Sequence, residues 1–99
     1  MLNFDWNKTK NEKLKSERGI GFEEVTKAFL EGGLIKVIDH PNKEKYPRQK
    51  LIFINIKNYV YLVPFVKNKD VFFLKTIIPS SKFTKQLLIK KKNEENKIN

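Results

Sequence analysis

The sequence predicts an α+β domain: two N-terminal helices, a four-stranded antiparallel meander sheet and a C-terminal helix. Three observations carry this reading. Phe22, Val25 and Phe29 recur at helical spacing. From Leu34 onward the apolar residues instead run together as in buried strands, for example Leu51-Ile52-Phe53-Ile54 and Tyr59-Val60-Tyr61-Leu62-Val63. The turns between these runs are too short for a parallel crossover, so the strands are expected to pair antiparallel.

Asn7 is a helix cap and Gly19 a helix stop, which places a first, mostly polar helix between them. Leu14 is its main apolar contact, with Phe4 and Trp6 as further anchors. A second helix, from about Phe22 to Leu30, follows the Gly19-Ile20-Gly21 break and ends at Gly32-Gly33. Leu34 to Asp39 reads as the first strand and Lys50 to Ile56 as the second, with Lys57-Asn58 as a tight hairpin turn. Tyr59 to Val66 is the third strand, where Pro64 implies a bulge or a local lack of pairing. Lys67-Asn68-Lys69-Asp70 makes the next turn and Val71 to Ile78 the fourth strand. Pro79 suits a first helical turn, and a terminal helix from Ser80 to about Lys91 carries Phe83, Leu87 and Leu88 on one face. The aromatics Phe53, Phe65, Phe72 and Phe73 sit in strand patterns and are read as core.

The chain has 99 residues, which predicts one domain over residues 1–89 and a charged, fraying tail over 90–99. With no cysteine there is no disulfide and no thiolate chemistry. No signal peptide and no apolar run long enough to span a membrane is visible, so a cytoplasmic protein without a membrane partner is expected. Lys and Arg number 21 against 11 Asp and Glu, a net charge of +10. Such a charge attracts polyanions over a Debye length of about 8 Å at physiological salt. Arg18 and Arg48 are the only arginines, and a planar guanidinium can hold phosphate bidentately where lysine cannot.

The chemistry concentrates in the segment from Asp39 to Lys50. It contains the single histidine, His40, together with Lys43, Lys45, Tyr46 and Arg48, framed by Pro41 and Pro47. Cleaving RNA without a metal needs a group to move protons and cations to hold the phosphorane. His40 is the natural acid or base and Arg48 the natural phosphate clamp. Tyr46 either stacks on a base, donates a proton or anchors the loop. Lys82, with Ser80 and Ser81 at the entry of the last helix, could neutralise phosphate or simply cap that helix. One histidine and no clustered carboxylates leave no convincing metal site, and no cofactor is implied.

The segments Phe4-Asp5-Trp6-Asn7, Arg18-Gly19-Ile20-Gly21-Phe22-Glu23-Glu24-Val25 and Lys75-Thr76-Ile77-Ile78-Pro79-Ser80-Ser81-Lys82-Phe83-Thr84 resemble BrnT-family toxins in order and spacing. The blocks His40 to Pro47 and Tyr59 to Val66 look like one branch of that group. The resemblance covers roughly Leu2 to Leu88. It implies a RelE-like fold and a bacterial type II toxin–antitoxin pair. The toxin would be a metal-independent ribonuclease that inhibits translation. The implied partners are RNA and a cognate antitoxin with a ribbon-helix-helix-like domain, which alone would contact operator DNA. Two positions depart from the family pattern. Glu17-Arg18 stands where a basic residue and a histidine are usual, and Ser81 stands where an arginine is usual. The second departure implies a weakened enzyme, an altered substrate, or a site whose charge comes from Lys82 and Arg48. A toxin-fold protein that binds antitoxin or RNA without cutting is the alternative.

Overall fold

The computed structural model describes residues 3–89. The helical pair forms where its punctuation falls. In α1 (Lys8–Arg18) the Asn7 side chain accepts from the Lys10 N–H at 2.9 Å, and Gly19 closes the helix at φ 67°, a left-handed conformation that suits glycine. α2 (Phe22–Leu30) ends before Gly32, at φ 89°. The two helices are joined by a polar lock. The buried Asn11 donates from Nδ2 to both Glu23 carboxylate oxygens and accepts from the Phe22 N–H at 2.8 Å. Gly21 lies against this lock, where a Cβ would come within 2.9 Å of Asn11 Oδ1.

The sheet differs from the expected four-stranded antiparallel meander. β1 (Asn3–Trp6) joins it and pairs in parallel with β5 (Val71–Leu74). The strand order is β1-β5-β4-β3-β2, with β2 (Leu34–Asp39), β3 (Gln49–Ile56) and β4 (Tyr59–Asn68) antiparallel as expected. Lys57 and Asn58 both take positive φ, 53° and 64°, the geometry of a tight hairpin turn.

The fourth strand does not run to Ile78. β5 stops at Leu74, and a two-residue β6 (Ile78–Pro79) resumes pairing with Leu62 and Tyr61 of β4. Pro64 explains the break. The β3–β4 register passes through it without a shift, so there is no bulge. Its carbonyl accepts from the Lys75 N–H at 2.8 Å, so its ring nitrogen faces the same neighbour and has no hydrogen to return. Pro79 lies in β6 and not in a helical turn, because the next residue, Ser80, donates its N–H to the Val60 carbonyl and keeps the chain on the sheet. Ser80 then caps α3 (Ser81–Thr84) by accepting from the Phe83 N–H, and the helix continues as π-helical turns over Lys85–Ile89. The expected end of this helix near Lys91 and the tail lie outside the described residues.

Both sheet faces are covered, but unequally. α1 and α2 bury Leu14, Phe22 and Val25 against Ile52, Ile54, Val63, Phe65 and Leu74. On the other face α3 sets Phe83, Leu87 and Leu88 over Phe53, Val60 and Leu62. Strand residues alternate between faces, so the two clusters are formed from alternate positions of the same strands.

Candidate nucleic-acid interface

The loop between β2 and β3 is ordered by its own polar groups. The His40 N–H donates to the Gln49 carbonyl at 3.1 Å, which closes the loop at its base. The Asn42 side chain accepts from the Lys45 N–H, and its carbonyl accepts from the Tyr46 N–H at 2.9 Å. His40 and Tyr46 are thereby brought ring to ring, 4.5 Å between centroids, with the Lys45 ammonium 5.3 Å from the Tyr46 ring centre. His40 Nδ1 accepts from the Asn42 N–H at 3.0 Å. A neutral imidazole held this way carries its proton on Nε2. Asp39 faces Lys43 at 3.4 Å and Lys50 at 4.0 Å, exposed pairs that contribute little to stability. Arg48 is exposed at the end of the loop.

The loop opens onto a sheet face that sequence reasoning missed. His40 lies opposite Gln49, Gln49 opposite Val66, Val66 opposite Phe73, and Phe73 opposite Asp5. These five positions form one row across five strands, spanning roughly 19 Å at about 4.8 Å per strand. By alternation they share the face that carries α3, yet α3 packs over the Phe53–Leu62 row and Val60. At its far end the row lines a cleft with Val66, Phe73, Lys69 and Lys75. Phe73 is therefore not core as expected. It is partly exposed, with the Lys75 ammonium 5.3 Å from its ring centre. An aromatic ring with an ammonium beside it stands at the loop end of the row and again at Phe73, next to Asp5 at the other end.

The remaining residues expected at the site are elsewhere. Ser80 donates its N–H to Val60, which pairs with Asn55, whereas the loop ends at Gln49 on the same strand. The six residue steps from Asn55 to Gln49 put Ser80 about 20 Å from the loop along β3, and Phe83, next to Lys82, packs on Phe53, four steps or about 13 Å from Gln49. Ser80 is thus set apart from the loop end at Gln49. The Ser80 hydroxyl is occupied as a helix cap, and the Lys82 ammonium sits 5.5 Å from the Phe83 ring centre. Arg18 donates to the Ile77 carbonyl and ties α1 to the segment before β6. Among the described residues no three His, Asp or Glu side chains cluster as metal ligands would, and no helix is long and apolar enough to cross a membrane. No protein-family model, curated protein or solved structure matches this chain.

Proposed function

We propose that the chain is a metal-independent endoribonuclease of the BrnT toxin type. It would act on RNA in the bacterial cytoplasm and be neutralised by a DNA-binding antitoxin. The observation that carries this reading is the His40–Tyr46 pair, set in a lysine-rich loop beside Arg48 at the mouth of an open sheet face. Two helices, a meander of antiparallel strands and a closing helix support the RelE-like reading of the fold.

The reaction is transfer of a phosphodiester to its own 2′-hydroxyl. The 2′-oxygen attacks phosphorus and its proton passes to solvent; the bond to the 5′-oxygen breaks and a 2′,3′-cyclic phosphate forms. The departing 5′-oxygen takes its proton from solvent, and His40 stabilises it with a hydrogen bond donated from Nε2–H. The Asn42 N–H at Nδ1 and the Tyr46 ring hold the imidazole in that orientation. Arg48 clamps the phosphorane oxygens, with Lys43 and Lys45 adding positive potential. Phe73 and Lys75 hold the strand farther along the face by stacking and charge.

Ser81, at the position where the resembled family carries an arginine, favours the second reading, a binding module, because Arg48 is then the only guanidinium free for a phosphate. Incubation of the purified chain with labelled single-stranded RNA in a chelator separates the two. Cleavage to cyclic-phosphate ends is expected. His40→Ala or Arg48→Ala should each slow it by about 10²-fold or more, and Lys82→Ala should leave it near wild type. RNA bound but left intact would establish the binding module. Cleavage untouched by either loop substitution would remove the loop from the mechanism.

A further inference from the structure

β2 is an outermost strand of the sheet, and among the described residues nothing pairs with its outer edge. Leu34, Val37 and Ile38 are 38%, 44% and 36% exposed. Val37 and Ile38 are adjacent, so they point to opposite faces. Both faces of the strand are therefore under-covered, as in a strand lacking one neighbour. Edges of this kind are ordinarily blunted by proline, a bulge, charges or a covering element. Here the register shift lies at the Leu34 end, and the half from Lys36 to Asp39 pairs regularly with β3. Beside Val37 lies a cleft of about 290 Å³, lined by Phe29, Val37, Phe65 and Phe72 with Lys50 and Lys67 at its sides.

The charges around this edge are mostly positive. Lys36, Lys43 and Lys50 flank it, Lys67 lies across the cleft, and the one carboxylate of β2, Asp39, is already shared between Lys43 and Lys50. We propose that the β2 edge docks an extended acidic segment of a partner protein. The segment adds as a further strand and places one apolar side chain in the cleft beside Val37. Main-chain hydrogen bonds supply affinity, and the alternating side chains supply selectivity. Carboxylates on the added strand meet the lysines with opposite charge. A second copy of the chain fits poorly, since it brings a net charge of +10 onto +10. β2 leads directly into His40, so a segment seated here also ends beside the loop. The docking itself rests on the β2 edge and not on the RNA reading.

Hydrogen exchange of the full chain tests this, with a blocked peptide of alternating valine and glutamate as probe. A peptide with lysine in place of glutamate is the control. The acidic peptide is expected to slow exchange of the amides between Leu34 and Asp39 by about tenfold or more, and the basic one to leave them unchanged. Val37→Asp and Lys50→Glu, both at exposed positions, should each weaken the acidic peptide by about tenfold, a loss of about 1.4 kcal/mol. No protection of β2 by the acidic peptide, or equal protection by both peptides, would overturn the proposal. Protection without peptide that grows with protein concentration would replace it with pairing between copies. RNA cleavage by the same preparation reports on the loop separately, so either reading can fail while the other stands.

Discussion

At the residue scale, Glu23 shows how a surface carboxylate can fix the geometry of two helices. Hydrogen bonds from Asn11 and Lys15 hold its carboxyl at about 2, below the usual 4.5. The same contact raises the Lys15 ammonium, through its hydrogen bond to Glu23. A carboxyl depressed on folding binds fewer protons in the folded chain than in the unfolded one. Its stabilisation is therefore complete above pH 4.5 and is lost as pH falls toward 2. With the Glu23 side chain 53% exposed, solvent screening holds this contribution to about 1 kcal/mol. Thermal unfolding across that interval is expected to show a shallower acid decline for Glu23→Gln than for wild type; parallel declines would detach the lock from the pH response. Asn11→Ala removes the acceptor for the buried Phe22 N–H as well. It should cost about 2 kcal/mol in urea unfolding at neutral pH.

At the scale of elements, what was legible in the sequence follows how local each signal is. The cap at Asn7, the stop at Gly19 and the Lys57-Asn58 turn depend on neighbouring residues, and all three form as expected. β1 was not legible, because Asn3–Trp6 becomes a strand only by pairing with Val71–Leu74 at the far end of the chain. The break after Leu74 depends on Pro64, in the adjacent strand. The start of α3 depends on Val60 in the same way. The buried Thr84 hydroxyl accepts from the Val60 N–H at 2.8 Å and donates to the Ser80 carbonyl at 2.7 Å, riveting the helix to the beginning of β4. Thr84→Val keeps the shape but leaves that N–H unpaired, at about 1–3 kcal/mol. Amide exchange at Val60 should accelerate in this variant while the α1–α2 face keeps its protection. Uniform acceleration through both faces would show that α3 unfolds only together with the rest of the domain.

At the scale of the whole molecule, charge and surface shape combine along the row from His40 to Asp5. The loop half of this surface was visible in the sequence because its residues are contiguous. The sheet half was hidden, because Gln49, Val66 and Phe73 come from three strands and meet only through register. Alternation alone left Phe73 indistinguishable from a core residue. Under the proposed function, RNA binding at this surface would have two separable components. Each phosphate neutralised releases counterions, so binding weakens as salt rises, with a slope of about −0.7 per contact on a single strand. Base stacking releases none. Arg48→Ala should therefore make the slope of log affinity against log salt shallower by roughly one contact, while weakening binding most at low salt. Phe73→Ala should weaken binding by about 1–3 kcal/mol at every salt concentration and leave the slope unchanged. Filter binding of single-stranded RNA by chains that also carry His40→Ala measures both while limiting the cleavage proposed above. A Phe73→Ala chain that binds like its parent would confine the interface to the loop and make the open face a bystander. A change in slope for Phe73→Ala would instead mean that the ring acts through Lys75, the ammonium beside it.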